Sequence, residues 1–191
     1  MGHILAHLDF LEEAILALGE AIEAQLRPFA AQAELLQTIP GVGRRTAEVL
    51  VAEIGVEMAQ FGSAQRLASW AGLAPGNDQS AGKRRSGRTT KGSKWLRRAL
   101  IESALAATRT KDTYLGAQYR RIKARRGHHR AIVAVAHSIL VATFHMLQTG
   151  EVYRELGGDY FQTRNPDAQV RQLVRKLEAL GQQVTLEAVA A

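Results

Sequence analysis

LLQTIPGVGRRTAEVLVAEIG, residues 35–55, decides how this chain folds. Leu35 and Leu36 close one apolar helix, Pro40 stops it, and Gly41-Val42-Gly43 makes a tight turn. Thr46 to Ile54 reads as the next helix, ended by Gly55. Glycines in such a turn let another backbone approach closely. The free N–H groups at the start of the second helix are suited to a phosphate, and Arg44 and Arg45 stand beside them.

In this order the segment resembles a helix-hairpin-helix motif. Contacts of this kind go to a nucleic-acid backbone and carry no sequence information. The structural alternative is a glycine-rich helix connection that only packs.

Upstream, residues 1–29 read as heptads. Met1, Leu8, Ile15, Ile22 and Phe29 fall at a; Ile4, Leu11, Leu18 and Gln25 fall at d. The expectation is a dimerising coiled coil; the alternative is an amphipathic helix folded back on its own domain. The chain begins in the middle of the heptad pattern, from which a preceding segment is expected.

Downstream, Ser63 is an N-cap for a helix running through Leu67 and Trp70 to Gly72. Then comes WAGLAPGNDQSAGKRRSGRTTKGSKWLRR, residues 70–98. Between Asp78 and Glu102 it holds no acid and eight cations: Lys83, Arg84, Arg85, Arg88, Lys91, Lys94, Arg97 and Arg98. With so few apolar side chains the loop is expected to gain no fold of its own and to be held by the flanking helices. Ser80 lies in it beside Ala81-Gly82-Lys83, a hydroxyl among small residues and cations, as attack on a phosphodiester requires. Ser86, between Arg85 and Gly87, is the rival hydroxyl, and a turn-capping serine is the structural alternative for Ser80.

Ser93 caps a helix from Lys94 to about Thr108, with Leu96, Leu100, Ala104 and Ala107 on its apolar face. Residues 113–126 form another, with Arg120, Arg121, Lys123, Arg125 and Arg126 near the end that suits them. Residues 129–149 make the most apolar helix, expected to be the bundle core. Pro166 starts a last amphipathic helix through Leu180, and no strand pattern exceeds the ambiguous Gln182–Leu186. Trp70 and Trp95 sit on apolar helix faces, so core packing is preferred to base stacking. The fold class is all-α: a helical bundle with a helix-hairpin-helix motif and an N-terminal coiled-coil helix. The expected divisions are 1–34 (dimerisation), 35–165 (helical DNA-binding domain) and 166–191 (helix and tail).

The bulk numbers agree with one such domain. Of 191 residues 46% are hydrophobic, and the absence of cysteine excludes disulfides and thiolate metal sites. Asp9, Glu12 and Glu13 interrupt any leader-like run. The stretch Ala131–Gln148 carries His137, Ser138, Thr143 and His145 and reads as a buried helix rather than a membrane span. The net charge of +7 is unevenly placed: residues 79–150 hold sixteen Lys/Arg against two acids, and the rest nine against sixteen. That is one cationic face, the footprint of a nucleic-acid binder. His128-His129 and His137/His145 have no usual ligand spacing, so no metal site is expected within this chain.

Taken in order, IPGVG, WAGLAPG, SAGK, GRTTKGSKWLRRAL, RAIVAVAHSILVATFHML and YRELGGDYF resemble the C-terminal transposase domain of the IS-one-ten family of insertion-sequence transposases, the bridge-RNA-guided recombinases. The resemblance covers roughly residues 30–165 and the coiled coil before them. It implies a serine nucleophile in the loop after the APG turn, matched by Ser80, that forms a covalent link to a DNA phosphate. Where the family has Ser-Gly-Gly, this chain has Ser80-Ala81-Gly82. The family also carries an RNase H-like domain with four acidic metal ligands. Asp9, Glu12, Glu13, Glu20 and Glu23 lie on a heptad helix and do not supply it.

The resulting expectation is the serine half of a composite transposase site. Ser80 is the nucleophile, and Lys83, Arg84 and Arg88 stabilise developing charge. Gly41, Gly43, Arg44 and Arg45 hold the DNA backbone, with Arg85, Lys91, Lys94, Arg97 and Arg98 as further contacts. Mg²⁺ is expected only with the acidic domain. Partners are DNA, a guide RNA by resemblance, and a second copy through the N-terminal helix, with no membrane; the expected location is the bacterial cytoplasm, at the nucleoid. The alternative is a non-catalytic helix-hairpin-helix module, or a truncated relic that only binds DNA and dimerises.

Overall fold

The computed structural model describes residues 2–75, 78–80, 83–86 and 89–187, with 78–80, 83–86 and 168 described by their backbone alone. Helix α1 spans Gly2–Leu26 and is followed by a 3-10 turn, Arg27–Phe29, that Pro28 opens. The last heptad position, Phe29, therefore lies beyond the helix. α1 buries none of its residues: Ile4, Leu8, Leu11, Ile15 and Leu18 are all exposed, and Ile22 is half-buried. The helix does not fold back on its own domain.

The predicted helix pair around residue 40 is present as α2, Ala30–Gln37, and α3, Arg44–Ile54. Leu36, Ile39, Leu50 and Ile54 from this pair enter the core. α4 spans Ala64–Trp70, capped by Ser63 Oγ, which accepts from Arg66 N at 3.3 Å. α5 spans Lys94–Ala107, capped by Ser93 Oγ, which accepts from Leu96 N at 3.2 Å. α6 covers Tyr114–Arg126 and α7 covers His128–Thr149, the two separated by Gly127 at φ 81°.

α7 is the axle, packed against α4, α5 and α6. By length and composition it could cross a membrane, but Val135, Ala136, Ile139, Leu140 and Thr143 are fully buried in the bundle. Beyond it, a pinned segment crosses back. Tyr153 N donates to Thr38 Oγ1 at 3.0 Å, and Glu155 Oε1 accepts from Tyr114 N at 2.6 Å. A short α8, Tyr160–Thr163, and α9, Pro166–Ala179, finish the chain; Val170, Leu173 and Leu177 of α9 are exposed.

The loop between α4 and α5 departs from expectation. It holds a two-stranded antiparallel hairpin, β1 (Asp78–Ser80) with β2 (Lys83–Ser86). Lack of apolar side chains was the argument for no local fold, but ladder hydrogen bonds come from the backbone and need none. Gln182–Leu186, the ambiguous strand, carries no strand.

Candidate functional site

The base of the basic loop is closed by backbone contact. Gly72, at φ 68°, lies so close to the other arm that a Cβ there would meet Thr90 O at 2.6 Å and Gly92 N at 2.7 Å. A Cβ on Gly92 would in turn collide with the Ala71 carbonyl. Only glycine at both places lets the arms touch. Above this contact Pro75 bridges Thr89, and the hairpin follows, with Ser80 opposite Lys83, Gln79 opposite Arg84, and an irregularity between Asp78 and Gln79.

Side chains lock the base. The half-buried Arg97 donates from Nη1 to Gly72 O at 2.6 Å and to Thr89 Oγ1 at 2.8 Å, joining the two arms from the first turn of α5. Thr90 Oγ1 donates to Ser69 O at 3.2 Å. Ser93 does two things at once: it caps α5 and donates to Glu53 Oε2 at 2.6 Å, tying the stem to the end of α3. His137, on α7, lies below Leu73. Burial holds its imidazole below the ordinary histidine range, partly opposed by a hydrogen bond with the Leu73 backbone.

The glycine turn splits its two roles. Gly41, at φ 86°, is pressed on α5, where a Cβ would lie 2.6 Å from Ala107 N and also meet Ser103 O. Gly43 is the N-cap of α3, extended at φ −93° and ψ 176°, with nothing within 4 Å of the place a Cβ would take. The close approach foreseen for both glycines is thus internal at Gly41 and open to the outside at Gly43.

α3 and α5 run antiparallel. Thr46, in the first turn of α3, hydrogen-bonds Ser103 late in α5 at 2.8 Å, while Glu53 near the end of α3 meets Ser93 at the start of α5. The open amides of α3 and the base of the hairpin therefore sit at opposite ends of one helix pair. At 1.5 Å per residue they are about 15 Å apart.

Several expected contact residues already have partners. Arg44 Nη2 pairs with Glu23 Oε2 of α1, and its Nε with Glu48 Oε1, each at 2.9 Å; the pairing raises the Arg44 pKa and lowers that of Glu23. Arg98 pairs with Glu102 at 2.9 Å. These pairs are exposed, and solvent-screened pairs of this kind exchange readily for another anion. Arg45, Lys91 and Lys94 are exposed without a partner among the described residues. Lys83, Arg84 and Arg85 lie on β2, and Arg88 falls outside the described residues.

Two tryptophans were misplaced by periodicity. Trp95 is 68% exposed and Trp70 is 47% exposed, leaning on Phe61 at 5.5 Å between ring centroids. Trp95 sits one residue before the buried Leu96, off the α5 stripe, and Trp70, the last residue of α4, lies off the buried stripe of Ala64, Leu67, Ala68 and Ala71. The clamp role of Arg97 was equally invisible among eight cations. Gly72 and Gly92, flanking the loop symmetrically, were its one legible sign.

Among the described residues no three His, Asp or Glu side chains gather as a metal site would need. The described side chains thus do not fit the metal that the family resemblance implies.

Residues 33–120, from α2 through the hairpin and into α6, match the family model described as Transposase IS116/IS110/IS902 family. Over 159 residues, 76% of the chain, it is 34% identical to a Streptomyces coelicolor protein named "Insertion element IS110 uncharacterized 43.6 kDa protein", and covers 38% of that protein. The pilin gene-inverting proteins of Moraxella bovis and Moraxella lacunata are each 51% identical over 49 residues, 26% of the chain and 15% of the relative. The chain thus spans well under half the length of these relatives. Glycine turn, clamped stem and hairpin all lie inside the matched window, and the chain carries a transposase domain of the IS116/IS110/IS902 family.

Proposed function

We propose that this chain is the DNA-binding, serine-bearing part of a transposase or recombinase, and that Ser80 is its nucleophile. One observation carries the reading: within the family-matched window, a basic hairpin ending β1 at Ser80 opposite Lys83 is held on a closed stem between α4 and α5. Ser80 Oγ attacks a scissile phosphorus and gives up its proton. The new O–P bond forms as the P–O bond to the departing deoxyribose oxygen breaks, and that oxygen is protonated. Lys83, Arg84 and Arg88 offset the charge that develops on the phosphoryl oxygens. The α3 N-terminus, with Arg45 beside it, holds the DNA backbone at a second point.

A serine hydroxyl is a weak nucleophile at its own pKa. The isolated chain therefore binds DNA and cleaves it very slowly. Joined by an acidic metal-binding domain, in cis or from a partner subunit, it forms a serine-linked phosphate, with the exchanged strand specified by a guide RNA. The test is denaturing-gel capture of the adduct in that assembled form. Ser80→Ala is expected to abolish the adduct with DNA affinity unchanged, while Ser86→Ala cleaves normally. An adduct that persists in Ser80→Ala places the nucleophile elsewhere. A non-catalytic DNA-binding module gives no adduct in any form.

A further inference from the structure

The chain has two tryptophans, and both flank the hairpin base. Trp70 precedes by two residues the Gly72 that touches the other arm, and Trp95 follows Gly92 by three. Both rings are substantially open to solvent, and among the described residues Trp95 has neither an aromatic neighbour nor a cation over its face. The rest of this helix shows what burial looks like: Leu96 and Leu100, on the inward side of α5, are wholly covered. Trp95 leaves the largest side chain of the helix outside, where covering it would be favourable.

Its surroundings are cationic: Lys91, Lys94 and Arg98 are all exposed within four residues of it. An open indole among cations matches a nucleic-acid strand, whose phosphates take the charges and whose bases offer flat faces. A paired base inside a duplex already has both faces occupied by its neighbours. An indole at the surface can cover a base only where that base has left the stack.

We propose that the base of the hairpin binds an unpaired nucleobase of a DNA strand, stacked on Trp95, with Trp70 as a second platform across the stem. The substrate class this selects is DNA opened at or beside the scissile position. The inference rests on the DNA-binding reading given above, and the experiment separates the two.

With two tryptophans, intrinsic fluorescence reports this place directly. Trp70→Phe and Trp95→Phe leave single-tryptophan chains that assign the signal to each ring. Labelled DNA is titrated in parallel by anisotropy, as a fully paired duplex, the same duplex with a short single-strand gap, and an RNA strand of the gap sequence. The gapped duplex is expected to quench Trp95 and to bind about ten-fold tighter than the paired one, the scale of one base–aromatic stack. Trp95→Ala removes that preference and leaves paired-duplex affinity and the circular dichroism spectrum as they were. Equal affinity and equal quenching for paired and gapped DNA overturn the proposal, as does quenching by RNA with none by gapped DNA. Loss of both duplexes to the same degree in Trp95→Ala overturns it too, by making Trp95 a general contact. If the intact chain binds neither duplex, the DNA reading itself is what fails.

Discussion

At the scale of single residues, the base of the hairpin is held by groups bonded within the chain. Arg97 joins Gly72 O and Thr89 Oγ1 through one nitrogen, Nη1, which makes it a candidate positioning residue for the loop that carries Ser80. Removing it leaves a half-buried carbonyl without its charged donor, at a cost of about 2 kcal/mol. For a domain of this size Arg97→Ala should lower the melting temperature by about 4–8 °C. Arg97→Lys should recover only part of it, because an ammonium on a flexible stem is less pre-organised than the planar guanidinium. A merely structural role predicts only the melting shift. A positioning role also predicts lower adduct yield at temperatures where the variant is fully folded, with the salt dependence of DNA binding unchanged. The glycines of the turn make a second, paired prediction. Gly41→Ala adds a Cβ at positive φ against Ala107, so it should cost at least about 2 kcal/mol in urea unfolding. Gly43→Val has room and a permitted φ, so it should cost at most about 1 kcal/mol as a poorer cap. Its effect belongs to binding: affinity should fall about equally for every DNA sequence, and a loss confined to one sequence would show that this end of α3 reads bases.

At the scale of elements, α1 is the part with the least to do inside its own chain. Its five exposed seam residues, Ile4, Leu8, Leu11, Ile15 and Leu18, cover about 21 Å of helix without a partner in the bundle among the described residues. A second copy laid along them would bury what is now wet. Sedimentation at micromolar concentration should give a dimer, and replacing Ile15 and Ile22 with glutamine should give a folded monomer; a monomeric parent would leave the seam without a role. Helix positions were legible in the sequence because their signals are local. Pro40, the caps Ser63 and Ser93, and the stops Gly127 and Gly150 each act within one turn of themselves. The hairpin was not legible, since its strands carry no apolar alternation and pair through backbone alone. Ser80 could be picked out by its small and cationic neighbours, but Trp95 could not be placed outside. One helical step, 100°, separates it from Leu96, and a sequence pattern does not fix the edge of a buried stripe that finely.

At the scale of the whole molecule, the proposed DNA contact involves both ends of the antiparallel α3–α5 pair. DNA lying across both would meet the open α3 amides at one end and the base of the hairpin about 15 Å away at the other. If about five phosphates are neutralised, log K should fall against log[salt] with a slope near −4 to −5, measured by anisotropy on a plain duplex. A slope near zero would remove the cationic-face argument. Arg44 adds a wrinkle: bound to Glu23 in the free chain, it must trade a carboxylate for a phosphate, so Glu23→Gln should strengthen binding slightly. The stem has the widest consequence. Everything described that holds it shut, Gly72, Gly92, Thr89, Thr90, Ser93 and Arg97, lies outside residues 76–88. The tip is a cassette in a fixed socket. Descendants of this chain are free to rewrite what the cassette carries, its hydroxyls, its cations and its length, while inheriting the bundle unaltered, and new chemistry can be tried without putting the fold at risk.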